Sequence, residues 1–217
     1  MGRRTAFAVA AAVVAALCVA NVAQALTTTY TNRGTWETAS GATIYTVDFE
    51  SFASDTSFAT TPLDVGPFTL STNGTAAAGR NIVDVTPFMF SGVPASFGDA
   101  ATDIYLDGLL TADLTFGMPV SGFFADFLYP GNTQQLDLTL SLLGGGTTDL
   151  AVPGTGTTLE SFGFLSTDPV TSIRFNNSVN DGFYIDNISA APIPEPATLG
   201  LLGFAFAGLV AYRRKRK

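Results

Sequence analysis

The sequence predicts an all-β protein: a single jelly-roll or β-sandwich domain flanked by an N-terminal signal peptide helix and a C-terminal transmembrane helix. Three observations carry this. Between residues 26 and 191, short apolar or alternating runs recur between Gly, Pro, Asn and Asp, and nothing reads as a long amphipathic helix. The 18 Phe residues mostly alternate with polar ones, the pattern of a half-buried sheet. Two uncharged stretches lie outside the body, each beside cations: Thr5–Ala20 after Arg3 and Arg4, and Ala197–Tyr212 before Arg213–Lys217.

The N-terminal stretch has the parts of a secretory leader: a basic start, an apolar run of Ala and Val, and small residues Ala23 and Ala25 at an A-x-A cleavage site. Cleavage after Ala25 makes Leu26 the first mature residue. The alternative is a retained transmembrane helix, which the well-formed cleavage site disfavours.

In the body, only "RGTWETA" (33–39) has the look of a helical turn. The expected strands are "TIYTVDFE" (43–50), "PFTL" (67–70), "NIVDV" (81–85), "PFMF" (87–90), "TDIYL" (102–106), "ADLTF" (112–116) and "VSGFFADFLY" (120–129). They continue with "LDLTLSLL" (136–143), "TTDLAV" (147–152), "LESFGFL" (159–165), "VTSIRF" (170–175) and "GFYIDNISA" (182–190). The segment 136–152 reads as a hairpin turning at Gly144-Gly145-Gly146. Many short strands with turn signals every 8–12 residues or so point to a sandwich or jelly roll.

Composition excludes several functions. The chain carries net charge −8. Residues 26–196 hold only Arg33, Arg80 and Arg174 against all 18 acidic residues, a net −15. Such a surface repels phosphates and excludes nucleic acid as a partner. It attracts cations such as Ca²⁺, which take carboxylate and carbonyl ligands. There is no His, and the single Cys, Cys18, lies in the leader. The mature chain therefore cannot build a Ser-His-Asp triad, a Cys nucleophile or a Cys/His zinc site.

The C-terminal stretch Ala197–Tyr212 is 16 residues without charge. As a helix it spans about 24 Å at roughly 1.5 Å per residue. That is short for a hydrocarbon core of about 30 Å, but snorkelling cations at one end extend it. The basic cluster 213–217 keeps its end cytoplasmic by the positive-inside rule, so the body faces outward. A buried core helix is the alternative. Pro194 and Pro196 force an extended backbone around Glu195.

The triplet Pro194-Glu195-Pro196, the run "LGLLGFAFAGLVAY" and the terminal "RRKRK" resemble the PEP-CTERM sorting signal. The resemblance implies export, processing near the triplet by an exosortase-type membrane protease, and a link to exopolysaccharide. It divides the chain into a signal peptide (1–25), a body (26–191) and a sorting signal (192–217). Within that signal lie the motif (194–196), the transmembrane stretch (197–212) and the basic tail (213–217).

In the body, "VDFE" (47–50) and "DGFYIDNISA" (181–190), preceded by "ESFGFLSTDPVTSIRF" (160–175), resemble the opening and closing strands of galactose-binding-like, carbohydrate-binding jelly rolls. That resemblance implies a structural Ca²⁺ joining the first and last strands through Glu50 and Asp186. Asp48 would share the face of Glu50, since residues two apart on a strand point the same way. The alternative is that these acids are solvated.

Other candidates carry less. Asp99, Asp103 and Asp107 do not form an EF-hand loop. Trp36, Tyr45, Tyr105, Tyr129 and Tyr184 offer flat faces for sugars, or ordinary packing. The sequence thus predicts an exported, non-enzymatic cell-surface or extracellular-matrix protein associated with exopolysaccharide. The alternatives are a secreted hydrolase using paired carboxylates on glycans, or a purely structural envelope protein.

Overall fold

The computed structural model describes residues 26–41, 44–73, 81–84, 103–106, 111–128, 136–153, 159–177 and 183–193. The expected signal peptide with Ala23 and Ala25, the strand at 87–90, Asp99, Asp107, and the whole of 194–217 with Pro194, Glu195 and Pro196 lie outside these residues. Among the described residues no helix is long and apolar enough to cross a membrane.

The described residues form one short helix and a 12-stranded, antiparallel sheet. Strands β1 (Thr27–Tyr30), β2 (Tyr45–Val47), β3 (Thr56–Ser57), β4 (Leu63–Asp64), β5 (Phe68–Asn73) and β6 (Ile82–Asp84) come first. They are followed by β7 (Asp103–Leu106), β8 (Thr111–Leu128), β9 (Leu136–Leu142), β10 (Thr147–Val152), β11 (Leu159–Asn177) and β12 (Phe183–Pro192). The helix α1 (Arg33–Ser40) lies between β1 and β2.

Two long strands organise the sheet. The first half of β8 (111–116) pairs with β5 on one side and with β11 on the other, and β9 and β10 continue beyond β11. The second half of β8 (120–128) pairs with the start of β11 and with β12. Beyond these, β1 joins β11, while β7 and then β2 join β12.

The sheet doubles over at the middle of both strands. Phe123 and Ala112, the partner of Phe175 in the ladder, are 11 residues apart on β8. A straight strand would put about 36 Å between them at roughly 3.3 Å per residue. Yet the Phe123 and Phe175 rings are 6.5 Å apart, and Phe175 lies 6.0 Å from Phe183 of β12. The two halves therefore face each other as the layers of a β-sandwich-like body. Phe123, Phe127, Phe162, Phe164, Leu138 and Ile173 are among the side chains buried between them.

The corner has a local cause. β8 passes it at Gly117-Met118-Pro119 and β11 at Ser166–Pro169. The β8–β11 register shifts on either side of Val170, which pairs with Val120. A proline has no N–H for the ladder, so Pro119 and Pro169 are tolerated at such irregularities. Gly and Pro here bend the strands without ending them. The sequence predicts separate strands at 112–116 and 120–129, and at 159–165 and 170–175; each pair is one strand.

The expected hairpin forms as 136–142 paired with 147–152. Gly145 and Gly146 have φ of +90° and +88°, conformations open to residues without a Cβ. The closing strand is also present, as β12. The opening one differs: β1 enters the sheet before it, through a Thr-rich run not predicted as a strand. β2 stops at Val47, because Phe49 turns its buried ring inward with φ of +59°.

Helix α1 packs on the outer face of the second layer. Asn32 caps it by accepting the Thr35 amide at 3.0 Å, and Gly41 ends it in the left-handed conformation. Its Trp36 is fully buried against Phe124, with Leu165 and Ala191 in the same cluster. The close approach requires glycine beneath. A Cβ on Gly163 would meet the Phe123 carbonyl and the Phe124 ring, and one on Gly122 would meet the Phe164 carbonyl at 2.9 Å.

Candidate functional site

The site begins where β12 leaves the body. Pro192 pairs with Val120 at the corner of β8, and Ser121 Oγ donates to the Pro192 carbonyl at 2.9 Å. The chain is thus fixed to the corner one residue before Ile193.

A cleft of about 640 Å³ opens on one side of this exit. Tyr45, Pro67, Met118, Pro119, Pro192 and Ile193 form most of its wall. Among the nine described residues lining it, only Tyr45 carries a polar side-chain atom. A second cleft of about 350 Å³ lies on the other side and shares Ile193. Its wall carries the hydroxyls of Ser40, Ser121, Ser166 and Thr167. No acidic residue among the described ones lines either cleft. Both volumes fall within or near the range of small-molecule sites.

A separate polar cluster lies on the outer face, where α1 meets the second layer. Arg33 donates to Ser189 Oγ at 2.6 Å, to the Asn187 carbonyl at 2.8 Å and to Asp126 Oδ2 at 3.4 Å. Asp126 Oδ1 also accepts from Ser161 at 2.6 Å. Ser189 Oγ lies 2.9 Å from Thr46 Oγ1, so the cluster reaches β2. Asp126 and Asp186 are direct partners in the β8–β12 ladder. Sequence reasoning does not find this cluster, since Arg33 and Asp126 are 93 residues apart. The one hint is that Arg33 is among three arginines in an acidic body.

The three carboxylates considered for calcium occupy different environments. Asp48 and Glu50 are exposed beyond the end of β2, and the Asp48 carboxylate accepts the Glu50 amide at 3.3 Å. Asp186 is buried in β12 and its Oδ2 accepts from Asn187 Nδ2 at 3.1 Å. Among the described residues no group of three or more His, Cys, Asp or Glu side chains is placed to hold a metal ion. The expected strand alternation linking Asp48 to Glu50 does not apply, because β2 has ended at Val47.

The aromatic candidates also separate. Trp36 and Tyr184 are buried, and Trp36 Nε1 donates to the Phe164 carbonyl at 2.9 Å. Their faces are closed to a ligand. Tyr45 is 46% exposed and lines the apolar cleft. Tyr129 and the side chain of Tyr105 lie outside the described residues.

Comparison with known families matches residues 192–217 to the PEP-CTERM protein-sorting motif. The C-terminal segment is therefore a sorting signal of that type, which implies an exported protein. It begins at Pro192, the residue held by Ser121. No curated protein matches the chain.

Solved structures give loose likenesses to the body. One is the family 11 carbohydrate-binding module of the cellulase Lic26A-Cel5E of Clostridium thermocellum. It is 10% identical, with 70% of this chain and 95% of the module covered and a TM-score of 0.32. Another is the catalytic domain of a GH87 α-1,3-glucanase, 15% identical over 71% of this chain, with a TM-score of 0.37. A third is the enzymatically active domain of bacteriophage CBA120 tailspike protein 4, 21% identical over 60% of this chain, with a TM-score of 0.33. The chain spans only 29% of the glucanase domain and 20% of the tailspike domain. Likenesses at these TM-scores carry no inference about activity or ligand.

Proposed function

We propose that the chain is an exported, non-enzymatic cell-surface or matrix protein, built as a jelly-roll-type β-sandwich body (26–191) on a removable membrane address (192–217). An exosortase-type membrane protease reads Pro194-Glu195-Pro196, and the released body associates with exopolysaccharide. The observation that carries this reading is the sorting-motif match from Pro192 to Lys217, which begins at the last residue of β12. Two prolines keep the segment around Glu195 extended, the form in which a protease cleft binds a chain.

Two features support a non-enzymatic body. Three carboxylates on the sheet faces are engaged by neighbours, Asp113 with Arg174, Asp126 with Arg33 and Asp149 with Thr139. The clefts at the exit offer apolar and hydroxyl groups, which suit binding better than acid-base cleavage.

The test follows an internally tagged protein in cells with and without an exosortase. Glu195→Ala should leave the chain inserted and unprocessed in exosortase-containing cells. Deletion of 197–217 should release the body unanchored. If Glu195→Ala is processed like the wild type, the motif reading fails. Retention on the cell's own exopolysaccharide in a pull-down tests the association.

A further inference from the structure

Six large apolar side chains are exposed among the described residues: Leu26, Tyr45, Met118, Leu143, Leu159 and Ile193. Five of them gather at one end of the sandwich. Tyr45, Met118 and Ile193 line the apolar cleft. Leu26 is bonded by its backbone to Thr167, and Leu143 donates its amide to the Pro169 carbonyl at 2.8 Å. Thr167 and Pro169 line the neighbouring cleft, which shares Ile193. The sixth, Leu159, begins β11 opposite Leu128, away from the corner. Isolated exposed apolar residues need no explanation, but a group at one end marks an interaction surface.

That end is also where the chain leaves for its apolar stretch. Three residues, and so four Cα–Cα steps, separate Ile193 from Ala197, the first residue of the uncharged run. Fully extended, those four steps reach about 14 Å at roughly 3.3–3.6 Å each. A body tethered this closely to a bilayer has its corner at the lipid surface and not out in solution.

We propose that the corner rim, Tyr45, Met118 and Ile193 with Leu26 and Leu143 beside them, seats in the headgroup layer of the outer leaflet while the tail spans the membrane. This rests on the membrane-address reading of 192–217. Tyrosine favours this layer, with its ring toward the acyl chains and its hydroxyl in the headgroups. Lipid suits the surface for a second reason. The body is strongly acidic, yet the apolar cleft carries no acidic residue among its described walls. Asp64 and Asp168 stand just outside the two clefts in sequence, so the seat favours zwitterionic over anionic lipid. Binding need not be tight, because a short tether raises the effective concentration to the millimolar range. Seating would hold 194–196 at interfacial depth, in one orientation, for a membrane-embedded protease.

The test uses the mature chain with its tail, residues 26–217, in zwitterionic vesicles. The mature region has no Cys, so Met118→Cys and Leu159→Cys each place one label on an exposed side chain. Flotation with the vesicles after alkaline extraction reports the tail. Iodide quenching and quenching by brominated lipid report the label. The expected result is flotation of both variants, with the label at 118 shielded from iodide several-fold relative to 159 and quenched by brominated lipid. In anionic vesicles the shielding at 118 should weaken, and added salt should restore it, while flotation through the tail persists. Flotation with both labels equally open to iodide overturns the seating and leaves the tail reading intact. Failure to float overturns both. Shielding at 118 that rises with protein density at fixed lipid, without brominated-lipid quenching, assigns the rim to a second copy and also overturns the proposal.

Discussion

The guanidinium of Arg33 lies over the Phe124 ring, 4.7 Å from its centroid, and Trp36 of the same helix meets that ring from 5.5 Å. One aromatic side chain thus fixes both ends of the first helical turn. Around it, Arg33 ties β8 to β12 through Asp126, Ser189 and the Asn187 carbonyl.

Removing either residue should loosen α1. Trp36→Ala should cost about 3–5 kcal/mol, the range for truncating a buried aromatic. Arg33→Ala should cost less, roughly 1–3 kcal/mol, for lost charge-assisted hydrogen bonds. Arg33→Lys should recover only part of that, because an ammonium cannot donate in a fork to three acceptors. Chemical denaturation of the three variants checks the order.

Gly163 should tolerate no side chain. Gly163→Ala forces the Phe124 ring and the Phe123 carbonyl apart, and overpacking of this kind costs about 1–3 kcal/mol. The near-ultraviolet signal of the only Trp, Trp36, should weaken in parallel. An unchanged melting curve and unchanged signal would show that α1 is not seated on this glycine.

Calcium should leave the body's melting temperature where a chelator leaves it. Asp48 and Glu50 are exposed while Asp186 is buried, and among the described residues no three His, Cys, Asp or Glu side chains are grouped to hold an ion. A calcium-dependent rise abolished by Glu50→Gln with Asp186→Asn would establish the shared ion instead. Its size would follow mass action, about 2.7 kcal/mol at a hundredfold excess over the dissociation constant.

The ion pair of Arg174 with Asp113 should matter little. Its hydrogen bond to Asp113 raises the arginine's pKa, against a smaller lowering by burial. A raised cation holds its contribution below its ordinary pKa and loses it only as pH climbs through the folded value. Stability from this group should therefore be flat through the neutral range. Arg174 is 44% exposed, so Asp113→Asn should cost at most about 1 kcal/mol.

Asp126 and Asp186 test the hydrolase alternative most directly, being opposed carboxylates on adjacent strands. No reducing sugar should be released from the producing cell's exopolysaccharide by the wild type. Release that disappears in Asp126→Asn would overturn the non-enzymatic reading.

The strands were legible where apolar and polar residues alternate, as in 136–142 and 147–152, because a half-buried sheet imposes that period. Helix α1 is legible only as the short stretch 33–39, and its cap Asn32 and its end at Gly41 come from the structure. β1 is not legible, since "TTTY" has no apolar alternation. The corner is not legible, for a physical reason: Gly117, Pro119 and Pro169 punctuate helices and turns, but at a bulge they bend a strand that continues. The clefts and the Arg33 cluster depend on pairing between distant strands, for which single-sequence periodicity carries no signal. Strand alternation puts Asp48 and Glu50 on one face, and Phe49, with φ of +59°, breaks that alternation.

β12 is an interior strand, held by β8 on one side and by β7 and β2 on the other. Any pull transmitted through residues 192–217 therefore acts along the axis of a strand gripped on both flanks. Antiparallel ladder bonds lie perpendicular to that axis, so they are loaded together in shear. An edge strand would instead unzip bond by bond. Under a pull along that axis, the grip of the body on β12 fails collectively rather than by fraying.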